Sequence, residues 1–374
     1  MKILLISNYP LDRQLSMIRF AELMQRELLK RGHEVKTLAP RPLLFPNCTR
    51  IDGVWKWVGY VNKFVLFPLA LRRAARGIDV VHICDHSNAM YVPWLRKIAH
   101  VITVHDLIAI RIARGMEQVG RAAWTGRIFQ WLILRGLKQA RQAICVSENT
   151  LEQLLDLAPA LSNRSTFVHS ALNFDYHPVD ALACDAVRSA FGLGQAPFFL
   201  HVGNNHPRKN RLHLLRILAK LLVSHPALPH RLVLVGGPIG PEEVSVIGAT
   251  GLGERVIALK NVDNEQLRAL YSGAIALIFP SLLEGFGWPI IEAQACGCPV
   301  FVSNRRPMTD IGGEAAIHID PVDPEAAATV IGASLPTLHQ RRQASLRNAQ
   351  RFTAQAMMDK YLAAYGAPQN AIPS

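Results

Sequence analysis

The sequence predicts an α/β protein built from two doubly wound parallel sheets, and three observations support this fold class. Short apolar segments of strand length alternate with segments of helical periodicity, which is typical of parallel strands joined by crossover helices. The alternation lapses once, around residues 173–197, and then restarts. The chain has 374 residues, which is enough for about two to three domains of ordinary size.

The first series of elements opens with the strand segment KILLIS. A helix follows, with apolar residues at helical spacing, namely Met17, Phe20, Met24 and Leu28. Gly32 is predicted to end this helix. The next strands expected are HEVKTLAP, DVVHIC, HVITVH and QAICVS. Ser147 is then predicted to cap the helix that begins SENTLEQLL.

The second series contains the strands FFLHVG, RLVLVGG, RVIAL, IALIFPS and PVFVS, separated by helical segments. We therefore expect two Rossmann-like domains that face a cleft. The predicted divisions are a first domain over 1–175, a linker over 176–195, a second domain over 196–355, and a C-terminal helix and tail over 356–374 that is a candidate to cross back to the first domain. Ligands are expected in the cleft, outside the carboxyl ends of the strands.

Positive charge is concentrated in the first domain. Between Trp55 and Arg141 there are 14 Lys or Arg residues against four acids, a local excess of ten within a formal net charge of +13. Five of the six tryptophans lie in the same window, at positions 55, 57, 94, 124 and 131. Tryptophan with Lys and Arg on apolar segments is typical of proteins that bind an anionic membrane surface. An ordinary solvated face and a nucleic-acid site are the alternatives, but no zinc-finger spacing or aromatic-rich RNA-binding motif favours nucleic acid.

The cysteines and the apolar segments indicate in which compartment the protein works and which cofactors it lacks. The six cysteines lack the paired spacing of a zinc site, which indicates small buried thiols in a reducing cytosol. No Asp-x-Asp occurs in the sequence, and we predict neither a metal nor another cofactor. The opening apolar run is too short for a signal peptide, and no run of about 18 apolar residues exists. The expected location is the cytoplasm, peripheral on the inner face of the membrane.

The segment IFPSLLEGFGWPIIEAQACG joins a strand to a helix through a loop with two glycines. Glu284 is expected just past the strand, and Gly285 and Gly287, on either side of Phe286, would let backbone amides approach a ligand. The amides at the start of the helix favour a phosphate. Glu292 is expected in the first helical turn, facing the same ligand. A phosphate flanked by carboxylates that accept hydroxyl hydrogen bonds describes a nucleotide-sugar.

Two alternatives apply to this loop. The glutamates could be a cap and a surface residue of an ordinary strand–turn–helix. An NAD site is disfavoured because Ile290 occupies the third glycine position of the dinucleotide fingerprint. A second loop supports the nucleotide-sugar interpretation: FLHVGNNHPRKNRLHLL places Gly203 at a strand end, with Arg208 and Lys209 before a helix. These cations could neutralise a diphosphate, although an Arg-Lys pair in a loop is usually just solvated.

The segments VHDL, VGNNHPRKN and EGFGWPIIE, in this order and spacing, resemble the retaining glycosyltransferases of the GT-B fold, family four (group 1). The resemblance covers most of the chain and is strongest over 198–325. It implies that Arg208 and Lys209 hold the donor diphosphate and stabilise the departing nucleotide. Glu284 would lie next to the transferred sugar, with the backbone of residues 285–287 reaching the sugar hydroxyls.

The resemblance also assigns the remaining donor contacts. It implies that Glu292 hydrogen-bonds the ribose diol and that the backbone near Val262 holds the base. His105 in VHDL would face the donor sugar; the alternative is a strand-end histidine bonded to nearby backbone. Many members have a Gly-Gly loop after the first strand, and here the loop SNYPLDRQLSMIRFAE replaces it. Asp12, Arg13 and Arg19 lie in this loop, and its two arginines are compatible with an acceptor that carries negative charge.

The function expected from these features is retaining transfer of a hexose from a UDP- or GDP-sugar to a lipid-linked or glycan acceptor at the membrane surface. The basic, Trp-rich first domain would dock on anionic lipid, and we expect no nucleic-acid partner. Two alternatives stay open at this point: a non-catalytic subunit that binds a nucleotide-sugar, and a nucleotide-sugar epimerase on the same fold.

Overall fold

The computed structural model describes residues 1–10, 14–41, 59, 61–117 and 119–366. Several residues used above lie outside the described residues: Asp12, Arg13, Cys48, Trp55, Lys56 and Trp57. The chain divides into two compact units, Met1–Asn173 with Ala354–Ser374, and Phe174–Thr353. Across the described ranges, we find no helix that is both long enough and apolar enough to cross a bilayer.

The first unit contains a parallel sheet flanked by helices. Its strands are β1 (Lys2–Ile6), β2 (Glu34–Leu38), β3 (Val80–Ile83), β4 (His100–Val104), β5 (Gln142–Cys145) and β6 (Ser165–Phe167). Its helices up to residue 173 are α1 (Leu15–Lys30), α2 (Phe67–Ala74), α3 (Ile108–Ala113), α4 (Trp124–Leu137) and α5 (Glu148–Leu157). The strand order is β2-β1-β3-β4-β5-β6, and every pair is parallel. Strands β3 and β4 are buried along their whole length, as apolar runs covered by helices on both faces require.

The second unit repeats this architecture. Its strands are β7 (Phe198–Val202), β8 (Arg231–Val235), β9 (Val256–Leu259), β10 (Ala276–Phe279), β11 (Val300–Ser303) and β12 (Ile317–Ile319). Its helices are α6 (Ala181–Ala190), α7 (Arg211–Ser224), α8 (Pro241–Thr250), α9 (Asn264–Gly273), α10 (Trp288–Ala295), α11 (Met308–Gly312), α12 (Pro324–Ser334) and α13 (Arg342–Ala349). The parallel strands follow the order β12-β11-β10-β7-β8-β9.

The predicted fold class is therefore confirmed: the chain is α/β, with two Rossmann-like units. The predicted helix signals are also present. Gly32, with φ of 77°, follows α1 in the left-handed region that glycine adopts readily. The Ser147 hydroxyl accepts a hydrogen bond from the Thr150 amide at 3.2 Å and caps α5. The segment 176–195, predicted as a linker, contains α6, because Asp180 caps a helix there by accepting from the Ala183 amide at 2.9 Å.

The last helix among the described residues is α14 (Ala354–Gly366), which belongs to the first unit. Two tyrosines of this helix take part in a buried network of hydrogen bonds. The Tyr361 hydroxyl lies 2.9 Å from Oγ1 of Thr103, and the Tyr365 hydroxyl lies 2.8 Å from Nδ1 of His82. The other nitrogen of His82 lies 2.8 Å from the same Thr103 hydroxyl. Burial lowers the pKa of His82 to about 3, so its ring is neutral at pH 7.

Tyr365→Phe is expected to destabilise the first unit by about 1–3 kcal/mol, because it leaves Nδ1 of buried His82 without its partner. Urea unfolding with amide exchange of β3 and β4 measures this cost. Gln355→Ala on the same helix is the matched control. Its side chain bonds Arg31 at an exposed position, so its loss should cost no more than about 0.5 kcal/mol. Equal effects of the two substitutions would contradict a stabilising role for the hydrogen bond between Tyr365 and His82.

Candidate active site

The sheet of the second unit has a topological switch point between β7 and β10. From β7 the chain continues to β8 and β9 on one side, whereas β10 pairs with β7 on the other side. The loops that follow β7 and β10 therefore leave neighbouring strands at the same carboxyl edge. This is where open α/β sheets bind ligands. The topology thus brings the two loops singled out in the sequence together.

Hydrogen bonds lock the two loops to each other. The first loop ends in a 3₁₀ turn, Pro207–Lys209, and the carbonyl oxygen of Arg208 accepts from the Leu282 amide at 2.7 Å. Asn210 follows in the left-handed region with φ of 61°, which Asn tolerates better than most residues. Its side-chain amide donates to the carbonyl oxygens of Pro280 at 3.0 Å and of Pro321 at 2.6 Å. The positions of the site side chains are therefore fixed by backbone contacts.

Arg208, Lys209 and Glu284 form a three-residue ion cluster, which we call the cationic cluster. Nη1 of Arg208 lies 2.7 Å from Oε2 of Glu284, and Nζ of Lys209 lies 2.5 Å from Oε1. The Arg208 side chain keeps 25% of its surface exposed, whereas Glu284 keeps only 7%. The cluster carries a net charge of +1, and both cations are more exposed than the carboxylate between them. It can bind an anion.

The cations determine the charge state of Glu284. Burial by itself would raise the pKa of this carboxyl group, but Lys209 and Arg208 outweigh burial and hold the pKa below its usual value. Glu284 is therefore ionised at neutral pH and accepts hydrogen bonds through both oxygens. The buried ring of Phe279 also lies beneath the ammonium of Lys209, 5.1 Å from its centroid.

The second loop continues into α10. Gly287 has φ of 105° and directly precedes the helix, a conformation that favours glycine. The Phe286 side chain is buried against Trp288 and Phe352, so this residue can contact a ligand only through its backbone. Gly285 lies between Glu284 and this buried ring.

Glu292 lies one turn further into α10 than predicted. The helix begins at Trp288, which makes Glu292 its fifth residue and places it in the second turn rather than the first. Its carboxylate is buried and accepts a hydrogen bond from the Tyr271 hydroxyl at 2.9 Å. Tyr271 lies on α9 and was missed in the sequence, where it reads as one more apolar helix position. It fixes the orientation of the Glu292 carboxylate.

Gly203 and Val262 lie at the same carboxyl edge. Gly203 directly follows β7, and a Cβ there would lie 3.2 Å from Nε2 of His201 and 3.4 Å from Cδ of Lys209. Val262 follows β9, which is separated from β7 by β8, and lies next to Asp263, the cap of α9. His201 is buried beneath the loop, and its Nδ1 donates to the Ile278 carbonyl oxygen at 3.0 Å. This bond joins the two strands that carry the cationic cluster.

His105 belongs to the first unit, where it follows β4. Its Nε2 lies 2.8 Å from the carbonyl oxygen of Cys84, so this nitrogen carries a proton and donates. Burial lowers the pKa of His105, against the raising effect of Asp85, so the ring is neutral at pH 7. The ring also packs edge-on against Phe20, with centroids 4.7 Å apart. The bond to the Cys84 carbonyl thus fixes the tautomer, leaving Nδ1 as the unprotonated nitrogen.

Family profiles and characterised proteins match most of this chain. The profile of the group 1 glycosyl transferases matches residues 186–350, and that of glycosyltransferase family 4 matches residues 18–175. The O-antigen chain mannosyltransferase B of Escherichia coli is 29% identical over 265 residues, covering 70% of this chain and 68% of that protein. The D-inositol 3-phosphate glycosyltransferase 1 of Catenulispora acidiphila is 30% identical over 318 residues, covering 80% and 74%.

The match to several other D-inositol 3-phosphate glycosyltransferases spans about half of their length. Among solved structures, Anabaena HepE in complex with UDP and glucose superposes with a TM-score of 0.73 at 15% identity, covering 98% of this chain and 100% of that one. That likeness concerns the fold. Taken with the two profiles and the relatives, it shows that the chain belongs to the group 1, family 4 glycosyltransferases and is a transferase of the GT-B type.

Proposed function

We propose that this transferase moves a hexose, with retention of configuration, from a UDP- or GDP-sugar to a lipid-linked or glycan acceptor at an anionic membrane surface. The observation that carries the donor half is the cationic cluster at the β7/β10 switch point. The HepE complexes with UDP and glucose and with UDP-glucose support a nucleotide-sugar donor by analogy.

The cluster suits stabilisation of a leaving diphosphate. Negative charge grows on the phosphate as the glycosidic C–O bond breaks, so Arg208 and Lys209 bind the transition state more strongly than the ground state. The amides at the start of α10 add positive partial charge. Glu284 and Glu292 accept hydrogen bonds from sugar and ribose hydroxyls. The acceptor hydroxyl attacks from the face that the nucleotide leaves, and its proton passes to the departing phosphate oxygen, so the mechanism uses no enzymic nucleophile.

Labelled UDP-glucose, GDP-mannose and related donors test this half of the proposal. We expect slow hydrolysis of one donor without any acceptor, undiminished by EDTA, and thermal stabilisation by the matching nucleoside diphosphate. A purely binding subunit would be stabilised without hydrolysis, and an epimerase would return an isomerised donor. Either result would refute the transfer reaction.

The membrane half of the proposal rests on an exposed face of the first unit, which we call the basic–aromatic face. It comprises Val61, Val65 and Leu69 around α2, Trp94, and Trp124, Ile128 and Trp131 on α4. The α4 residues recur at i, i+4 and i+7 and therefore share one side of the helix. The side chains of Trp124 and Trp131 are 73% and 56% exposed. These large apolar groups in water are typical of a membrane-binding surface.

Aromatic contacts join the helices of this face. The rings of Phe64 and Phe129 meet edge-on at 6.1 Å, Arg72 stacks on Trp94 at 5.1 Å, and Arg135 stacks on Trp131 at 5.4 Å. Residues 61–74 and 124–138 include six Lys or Arg residues and no Asp or Glu. Cations beside exposed tryptophans match the headgroup region of an anionic bilayer.

Replacing Trp124 and Trp131 together with Ala is expected to weaken binding to vesicles of phosphatidylcholine and phosphatidylserine by about ten-fold or more. Flotation of the protein with the vesicles measures this. Leu182→Ala with Val223→Ala is the matched control, because both side chains are about four-fifths exposed but lie on the second unit. Unchanged flotation of the tryptophan variant, or preference for duplex DNA over vesicles, would contradict the membrane surface.

A further inference from the structure

His201 on β7 is a buried histidine with one ring nitrogen in use and one unused. The side chain is fully buried, and its Nδ1 lies 3.0 Å from the carbonyl oxygen of Ile278 on β10. A carbonyl oxygen only accepts, so Nδ1 carries the proton and a neutral ring keeps its lone pair on Nε2. Among the described residues, this Nε2 has no hydrogen-bond partner. Buried polar atoms rarely lack one, which indicates that Nε2 has a partner in the working enzyme.

The His201 ring is neutral at pH 7. Burial lowers the pKa of His201 to about 4, and the nearby cations of Arg211 and Lys209 act in the same direction. The Ile278 carbonyl and the Glu284 carboxylate raise the pKa but do not outweigh burial. Nε2 is therefore unprotonated at neutral pH and can accept a hydrogen bond.

Nε2 of His201 lies beside the Lys209 side chain, beneath Gly203. The point that a Cβ on Gly203 would occupy is 3.2 Å from Nε2 and 3.4 Å from Cδ of Lys209. Both side chains also contact the ring of Phe279. The His201 ring stacks on it, with centroids 6.2 Å apart and planes inclined by 25°, and Nζ of Lys209 lies 5.1 Å from its centroid. The unused acceptor and the ammonium therefore belong to one small buried space.

We infer that His201 is a positioning residue for Lys209: its Nε2 accepts a hydrogen bond from the Lys209 ammonium when the donor is bound. This inference rests on the proposed function, in which Lys209 binds the diphosphate. An ammonium has three N–H donors. Glu284 accepts one of them at 2.5 Å, and the diphosphate would accept another. Nε2 of His201 supplies the third acceptor, on the buried side.

The third acceptor is needed because Glu284 has two tasks. The proposed function requires its carboxylate to accept hydrogen bonds from sugar hydroxyls, which compete with Lys209 for the same oxygens. Lysine has a flexible four-carbon side chain, so an ammonium held by fewer acceptors points in more directions. His201 keeps the ammonium directed at the phosphate while Glu284 contacts the sugar. The benefit should be largest in the transition state, where the phosphate gains charge.

Two substitutions of His201 separate this role from the bond that joins β7 to β10. Asparagine can place an N–H near the position of Nδ1 but has no atom at the position of Nε2. Glutamine can place an oxygen near the position of Nε2. His201→Asn should lower donor hydrolysis by about ten-fold or more, whereas His201→Gln should stay within about three-fold of wild type. A merely structural role of the bond to Ile278 predicts the opposite order.

His230→Asn is the matched control. His230 is also buried, stacks on Phe199 with centroids 5.1 Å apart, and has an Nδ1 without a partner among the described residues. It directly precedes β8 and so lies at the amino edge of the sheet, away from the cationic cluster. Its substitution should leave donor hydrolysis and nucleotide affinity unchanged.

Two measurements test the contact with Lys209 itself. Calorimetric titration with UDP and GDP compares His201→Asn, Lys209→Ala and the double variant. Once Lys209 is absent, His201→Asn should cause no further loss of affinity. Nitrogen NMR of protein labelled in its histidines should show an unprotonated Nε2 for His201. Adding the nucleotide should shift this resonance in the wild-type protein but not in Lys209→Ala.

The outcomes separate this inference from the proposed function. Wild-type protein that binds neither UDP nor GDP and hydrolyses no nucleotide-sugar would refute the proposed function itself. If the wild-type protein does both and His201→Asn has wild-type activity, only the role of His201 is overturned. The same holds if His201→Gln loses more activity than His201→Asn, if the affinity losses of the double variant add, or if the Nε2 resonance does not respond to nucleotide.

Discussion

Lys209→Ala and Arg208→Ala are each expected to abolish glycosyl transfer and to weaken nucleoside diphosphate binding by about 1.5–3 kcal/mol. Each substitution removes one of the two cations that meet Glu284 at 2.7 Å or less. The loss in turnover should exceed the loss in affinity, because the phosphate gains charge as it departs. Calorimetric titration with UDP or GDP gives the affinity, and release of labelled sugar gives the turnover.

Glu284→Gln should behave differently from the cation variants. Glu284 neutralises part of the charge that a diphosphate needs, so its replacement by a neutral amide of the same shape should not weaken nucleotide binding. Turnover should still fall, because the neutral amide replaces the ionised carboxylate that accepts hydrogen bonds from the sugar hydroxyls. This contrast distinguishes contact with the sugar from contact with the phosphate.

Lys220→Ala is the matched control for the cationic cluster. Lys220 lies on α7, which follows the loop of Arg208 and Lys209, and forms an exposed ion pair with Glu325 at 3.1 Å. Its loss should change affinity and turnover little. If Arg208→Ala and Lys209→Ala both kept wild-type affinity, the diphosphate site would have to lie elsewhere.

The sequence predicted the cationic cluster because its members follow buried strands. A carboxylate or a basic pair directly after an apolar run must lie at the carboxyl edge of a parallel sheet. That β7 and β10 are neighbours depends on strand order, which no local pattern specifies. The contact between Glu284 and both cations therefore became visible only in the structure.

The features that were missed depend on tertiary contacts or on very short elements. Strands β6 and β12 have three residues each and form sheet edges, so neither has a recognisable period. Tyr271 has the spacing of an ordinary core residue, and only its bond to Glu292 reveals its role.

Gly236→Ala is expected to destabilise the second unit by about 2–5 kcal/mol and to displace the loop of the cationic cluster. Gly236 follows β8 with φ of 115°, outside the range that other residues adopt readily. The Gly203 amide donates to the Val235 carbonyl at 2.8 Å, which holds the backbones of Gly203 and Gly236 side by side. A Cβ on Gly236 would lie 2.9–3.2 Å from three backbone atoms of Gly203. Backbone cannot rotate away as a side chain can, so β7 or β8 must shift.

Gly251→Ala separates this clash from simple backbone strain. Gly251 has φ of 67° after α8, and a Cβ there would meet nothing within 4 Å. Its substitution should cost only the left-handed conformation, about 1–2 kcal/mol. Hydrogen exchange of β7 and β8 amides, with nucleotide titration of both variants, makes the comparison. Faster exchange and weaker nucleotide binding in Gly236→Ala but not in Gly251→Ala would show that the contact between the two glycines positions Arg208 and Lys209. Equal behaviour of the two variants would refute this coupling and leave the donor loop dependent on its own hydrogen bonds.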